Sequence, residues 1–179
     1  MHYTTIWQSP IGTITLACND THLIGLWNEG QKYHGRTLCE TAVEKNDFWL
    51  LDNTKRWLDK YFAGKKPEIS ELPLAPIGSE FRQGVWSILC DIPYGQVITY
   101  GEIAKKIALK MNKKSMSGQA VGGAVGHNPI SIIIPCHRVV GSSGSLTGYA
   151  GGVEAKIKLL ELEGVDMSNL FTPKKGTAL

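Results

Sequence analysis

Between Gly64 and Gly78 the chain carries Pro67, Pro73 and Pro76. Proline offers no backbone N–H and fixes φ, so this stretch can be neither a helix interior nor a central strand. It divides the 179 residues into two parts, read as 1–75 and 76–179. Each part must then build its own core, and the composition permits it. With 42% hydrophobic and 20% charged residues, a disordered tail and a disulfide-held miniprotein are both excluded.

The first part opens with β signals. Tyr3–Gln8, a turn at Ser9-Pro10-Ile11-Gly12, and Thr13–Cys18 read as two strands, and His22–Trp27 as a third, so a small antiparallel meander is expected. From Glu44 to Phe62, the residues Phe48, Leu51, Leu58, Tyr61 and Phe62 recur at helical spacing, with Gly64 as a stop. The proline stretch is expected to link this subdomain to the next.

The second part reads as mostly helical, which makes the chain α+β. Ser79 caps a helix with Phe81, Val85, Ile88 and Leu89 on one stripe. Thr99-Tyr100-Gly101-Glu102 has capping-box form and opens a second helix through Lys110. Ser117 caps a third, Gly118–Gly126, and the last two around their polar turn have helix-turn-helix form. That third helix contains several glycines, each costing about 1 kcal/mol relative to alanine in a helix interior. Either its small residues admit a neighbouring helix, or a shaved surface lets it enter a narrow target such as a minor groove about 6 Å wide.

Charge separates the parts further. Residues 1–75 hold 8 basic and 9 acidic side chains, residues 76–179 hold 11 and 7, within a net charge of +3. Between positions 100 and 140, Lys105, Lys106, Lys110, Lys113, Lys114 and Arg138 face only Glu102. Such a run is either a solvated face or the footprint of a polyanion.

The four cysteines show no metal-ligand spacing and no C-x-x-C pair, so no metal and no redox pair is expected. No run approaches the 18 apolar residues of a membrane span and no secretory leader precedes Tyr3, so a cytoplasmic protein without membrane contact, with reduced thiols, is expected. Cys18, Cys39 and Cys90 read as core filling. Cys136 differs: it follows the apolar run Ile130–Ile134, read as a strand, and adjoins His137 and Arg138, neighbours that favour a thiolate. A Cys-His pair wants a third group to orient the imidazole, and the last helix, Val153–Glu163, offers Glu154, Glu161 and Glu163 without choosing among them. The Gly/Ser-rich segment 141–152 lacks the Lys and Ser/Thr of a phosphate loop and reads as a flexible wall beside a pocket.

At Pro135-Cys136-His137-Arg138-Val139 the chain resembles the O6-alkylguanine-DNA alkyltransferase family. The likeness continues through Ala120–Pro129, Gly148–Gly152 and Leu159–Gly164, covers about residues 79–165 strongly, and is weaker over the N-terminal part. It implies a ribonuclease H-like subdomain over 1–75 and a DNA-binding, alkyl-accepting domain with a winged-helix-like helix-turn-helix over 76–179. It also implies single-turnover transfer of an alkyl group from O6 of guanine, less readily O4 of thymine, to Cys136, without a cofactor, by a monomer acting on double-stranded DNA. Residue by residue, the resemblance makes Cys136 the acceptor, His137 its base through a water, Glu163 the carboxylate that orients His137, and Asn128 a hinge. Tyr100 assists base extrusion and protonates N3. Ser131, Val139, Tyr149 and Ala150, with Cys136 and Tyr100, form the base pocket, the carbonyls of Cys136 and Val139 reading the base. Ser117, Gln119, Ala120, Gly122, Gly123 and Arg138 face the minor groove.

Two positions depart from the family pattern. Gln119 stands where many members insert an arginine into the base stack, and Ser131 stands where some have a proline beside bulky adducts. Competing readings are a module that binds alkylated bases without repairing them and a Cys-His-Glu hydrolase. The first replaces the acceptor cysteine, which is present here, and the second leaves the glycine-rich helix unexplained.

Overall fold

Strands β1 (Tyr3–Ser9), β2 (Gly12–Cys18) and β3 (Leu23–Asn28) pair antiparallel in sequence order; apolar and polar residues alternate through Thr13–Leu16 of β2, whereas β3 is buried along its whole length. This is a computed structural model describing residues 1–174. The chain forms two compact units. Unit 1 comprises Met1–Ile77 with Pro129–Ile133; unit 2 comprises Gly78–Asn128 and the chain from Ile134 on.

In unit 1 the sheet is mixed rather than purely antiparallel. A two-residue β4 (Val43–Glu44) lies parallel to β1, giving the order β3-β2-β1-β4. Val43 N–H donates to His2 O and Lys45 N–H to Thr4 O, so the chain closes the open edge of β1 before the helix begins. Helix α1 (Trp49–Phe62) therefore starts later than its apolar spacing suggests, because Glu44 is in the strand and Phe48 is extended. Its buried Leu50, Leu51, Trp57, Leu58 and Tyr61 pack on β1 and β2, whose Ile14 and Leu16 are fully buried.

The proline stretch is more than a link. Leu23 N–H donates to Pro73 O and Ala75 N–H to Leu23 O, which lays it along β3. Residues 129–133 do the same further on, with Leu26 N–H donating to Pro129 O and Ser131 N–H to Leu26 O. An edge strand with unpaired backbone groups is an aggregation hazard, and here two irregular segments cover it.

In unit 2 three caps form as expected. Ser79 accepts from Arg82 N–H at α2 (Glu80–Cys90), Thr99 and Glu102 exchange both bonds of a capping box at α3 (Tyr100–Lys110), and Ser117 accepts from Ala120 N–H at α4 (Gly118–Gly126). The three helices pack on one another, with Trp86 Nε1 donating to Ala124 O. The apolar run 130–134 is not a strand. Ile130 makes an isolated bridge to Leu26, and Ile132 takes a φ of 69°, which ends any extended ladder. A two-stranded parallel pair, β5 (Ile98–Thr99) with β6 (Val139–Val140), and α5 (Val153–Leu162) complete the unit.

Candidate active site

Cys136 opens a single turn of 3₁₀-helix, Cys136–Arg138, that runs directly into β6. This corrects the expected strand end, where neighbours would point to opposite faces. The tight turn carries Cys136, His137 and Arg138 into the interior together, all buried. Pairing of Ile98 with Val139 and Thr99 with Val140 then aligns the start of α3, and so Tyr100, with this turn. The Tyr100 hydroxyl donates to Thr147 O at 3.1 Å. Burial raises its phenol well above the ordinary value, and the neighbouring Cys136 charge adds to that, so Tyr100 stays a protonated donor.

The third group is Glu163, at the C-terminal end of α5. His137 Nε2 donates to its Oε1 at 2.7 Å. Arg138 donates from Nε to Oε2 at 2.8 Å and from Nη2 to Oε1 at 2.9 Å, and Gly95 N–H reaches Oε2 at 3.2 Å. Burial by itself would raise this carboxyl; the hydrogen bonds and charges of His137 and Arg138 outweigh it and hold it well below the usual carboxylate range. Burial lowers His137, the bond to Glu163 and its charge oppose that, and the Arg138 and Lys156 charges reinforce it. A neutral imidazole on an ionised carboxylate is the result. With Nε2–H committed to Glu163, Nδ1 is the basic nitrogen. Gly95 approaches because it has no side chain: at φ 77° a Cβ would lie 2.9 Å from Glu163 O.

Arg138 departs from expectation. It is 6% exposed, its guanidinium is committed to Glu163 and to Ile92 O (Nη1, 2.6 Å), and it lies over the Tyr94 ring, so it is a member of the site's interior rather than a groove contact. Gly122, also expected to face DNA, is buried. Ser117, Gln119, Ala120 and Gly123 are exposed. A Cβ added at Gly118, Gly123 or Gly126 would meet nothing within 4 Å, so internal packing does not require glycine at those three positions.

Other expected residues fall as follows. The Asn128 side chain donates from Nδ2 to Ile134 O at 2.8 Å, closing the neck of the chain's excursion through 129–133. Tyr149 is 8% exposed and its ring stands edge-on to His137, with Ala150 beside it in sequence at the partly exposed end of the loop. The carbonyl of Cys136 accepts from Val139 N–H, and that of Val139 accepts from Lys156. Ser131 belongs to unit 1, where its hydroxyl donates to Gln31 Oε1 at 3.2 Å. The segment read as a flexible wall is pinned, Leu146 N–H donating to Phe171 O and Phe171 N–H to Gly144 O.

Lys156 escaped sequence reasoning. It is fully buried, donates to Val139 O and Thr147 O, and burial pulls its amine down from 10.5 to about 8, against the opposing Cys136 charge. Its signal was present: Lys156, Leu159, Leu160 and Glu163 lie on one helical stripe, so two charged residues occupy core positions. The remaining thiols differ from one another. Burial raises Cys18 to about 12 and Cys90 to about 11, whereas Cys39 is exposed and its thiol is lowered by a bond to the Thr41 hydroxyl, correcting its assignment to the core.

Two family profiles match the chain, one described as the ribonuclease-like domain of 6-O-methylguanine DNA methyltransferase over residues 1–76, the other as that family's DNA binding domain over residues 80–165. A methylated-DNA–protein-cysteine methyltransferase of Methanosarcina acetivorans is 44% identical over 90% of this chain and 98% of its own length. One from Haemophilus influenzae is 38% identical over 90% of this chain and 86% of its own. Among solved structures, Mycobacterium tuberculosis OGT in complex with DNA superposes with a TM-score of 0.79 at 41% identity, covering 90% of this chain and 93% of that one.

Proposed function

The chain belongs to the 6-O-methylguanine DNA methyltransferase family, and from that membership we propose that it repairs DNA by moving an alkyl group from O6 of guanine, or O4 of thymine, irreversibly to Cys136. The observation that carries this reading is the buried turn Cys136-His137-Arg138 with both latter side chains locked on Glu163.

In the proposed reaction the Cys136 Sγ–C bond forms as the C–O6 bond breaks. The thiol proton leaves through a water to His137 Nδ1, and the departing guanine gains a proton at N3 from Tyr100. Glu163 holds the imidazole in the tautomer that can accept, and Arg138 keeps Glu163 ionised and His137 neutral. A thioether lies outside thiol–disulfide exchange, so each molecule acts once.

A base stacked in a duplex hides O6, so the nucleotide must be extruded. α4 enters the minor groove in this reading, with Ser117, Gln119, Ala120 and Gly123 at the contact and Gln119 filling the gap. Lysines of α3 and its following turn supply phosphate contacts without sequence preference. Tyr149, Ala150 and Val139 line the pocket, residues 1–75 serve as the ribonuclease H-like subdomain, and 76–179 carry binding and transfer. The protein works as a cytoplasmic monomer. Among the described residues no helix is long and apolar enough to cross a membrane.

Incubation with a duplex containing O6-methylguanine, followed by intact-mass measurement, tests the reading. One methyl gained by the parent and none by Cys136→Ala is the expected result. Tight binding without mass change would favour the non-repairing module, and turnover of an acyl substrate the hydrolase.

A further inference from the structure

We propose that Gln31 is a positioning residue for the alkyl transfer: its side-chain carbonyl holds residues 129–133 in the strained turn that leads into the acceptor cysteine. The inference rests on the transfer reading above.

The chain leaves unit 2 after Asn128, belongs to unit 1 for five residues, and returns at Ile134, two residues before Cys136. Within that path Ile133 N–H donates to Ser131 O at 2.8 Å, closing a γ-turn on Ile132 at φ 69°. A γ-turn of this hand is rare and strained, and a β-branched residue at positive φ is an outlier that persists only where its surroundings over-determine it. A second γ-turn follows at once, Pro135 at φ −82° and ψ 63° with Cys136 N–H donating to Ile134 O at 2.8 Å. Relaxation of Ile132 would therefore rotate the chain that enters the Cys136 turn.

Both backbone and side-chain bonds hold the segment around Ile132. Leu26 gives two backbone bonds, to Pro129 and from Ser131. A side chain adds a further anchor: Gln31 Oε1 accepts from Ser131 Oγ at 3.2 Å, from Asn28 N–H at 3.0 Å and from Asn28 Nδ2 at 3.3 Å. Gln31, Asn28 and Ser131 are 5%, 6% and 1% exposed, so water does not substitute readily for a lost partner. Three donors converge on one oxygen, and that oxygen fixes the serine on which the strained turn begins. Transfer is sensitive to such placement, since misplacing a reacting group by about 1 Å can cost up to about 100-fold in rate.

The test compares Gln31→Met, which keeps length and removes the acceptor, with Gln31→Glu, which keeps an acceptor oxygen, and with Ser131→Ala. Single-turnover methyl transfer at saturating duplex, duplex Kd and amide exchange at Ile133 and Cys136 are read for each. Gln31→Met is expected to slow transfer about tenfold with Kd within about twofold and faster exchange at both amides, while Gln31→Glu stays within about threefold of the parent. The Gln31→Met/Ser131→Ala double variant is expected to be no slower than the slower single one, because both remove the same bond. A folded Gln31→Met that transfers at the parent rate, an equal loss in Gln31→Glu, or multiplying effects in the double variant would overturn the proposal. Should Gln31→Met not fold, Ser131→Ala is read in its place with the same two outcomes. A parent that gains no methyl sinks the transfer reading itself, and the exchange data then still decide whether Gln31 holds the turn.

Discussion

Gly123→Ala separates the cost of a glycine to the fold from its use. Gly123 lies mid-way along α4, exposed, and a Cβ placed there meets no atom within 4 Å. With no clash to relieve, the effect on the isolated protein is helix propensity, about 0.8–1.0 kcal/mol in favour of alanine, much of it lost entropy of the unfolded chain. For a chain of this size that corresponds to a melting temperature raised by about 2–4 °C. On DNA the sign reverses. A helix pressed into a groove about 6 Å wide has little room for an added methyl group, and an affinity loss of about tenfold, or about 1.4 kcal/mol, is expected. Thermal unfolding of the protein alone and fluorescence anisotropy on a short duplex at fixed salt measure the two halves. A melting temperature that falls would show that the space beside Gly123 is not open. A raised melting temperature with unchanged or tighter DNA binding would refute the role assigned to the bare face of α4.

The pH profile of transfer tests the ion group around Glu163. Arg138→Met removes a cation that lowers His137 while leaving the carboxylate that raises it. The acid limb is therefore expected to move up, with Arg138→Lys leaving it nearly in place; an unmoved limb in a folded Arg138→Met would count against the assignment. Stability should follow Lys156 at alkaline pH. Its folded amine lies at about 8 against 10.5, so the unfolded chain binds more protons between those values and stability from this group rises across that window. Over the whole window the rise is about 3 kcal/mol, of which about 2 kcal/mol falls between pH 8 and 10; the unfolding free energies of parent and Lys156→Met in urea, compared at those two values, should converge or cross by that smaller amount, and a constant difference would contradict it. Gln119→Arg, which restores a planar cation able to stack in the gap left by an extruded base, is expected to speed stopped-flow repair of a methylated duplex; a rate no faster than the parent's would show that Gln119 does not limit extrusion.

Much of the site was legible because its signals are local. Caps at Ser79, Thr99 and Ser117 depend on residues three apart, and a Cys beside a His and an Arg is chemistry written in adjacent letters. What was misread depends on partners far along the chain. The run Ile130–Ile134 has strand composition, yet its pairing is supplied by β3 about a hundred residues earlier and ends at Ile132. β4 is two residues long, too short for any periodicity to reveal. Arg138 looks like a phosphate contact in a basic stretch until Glu163 and Ile92 absorb its guanidinium.

From the residues alone came the two-part division, the helix-turn-helix, the singular cysteine and a short list of carboxylates that could orient its histidine. Tertiary structure chose Glu163 from that list, because only there do an imidazole, a bidentate guanidinium and a side-chain-free backbone N–H meet one buried carboxylate. It also decided which glycines of α4 face inward and which stay bare, and it put Lys156 and Gln31 to work on backbone carbonyls and a serine that neither approaches in sequence. The physical reason is one of range. Propensity and capping act within a turn or two, whereas the protonation state of a buried group and the strain of a turn are set by whatever the fold packs around them.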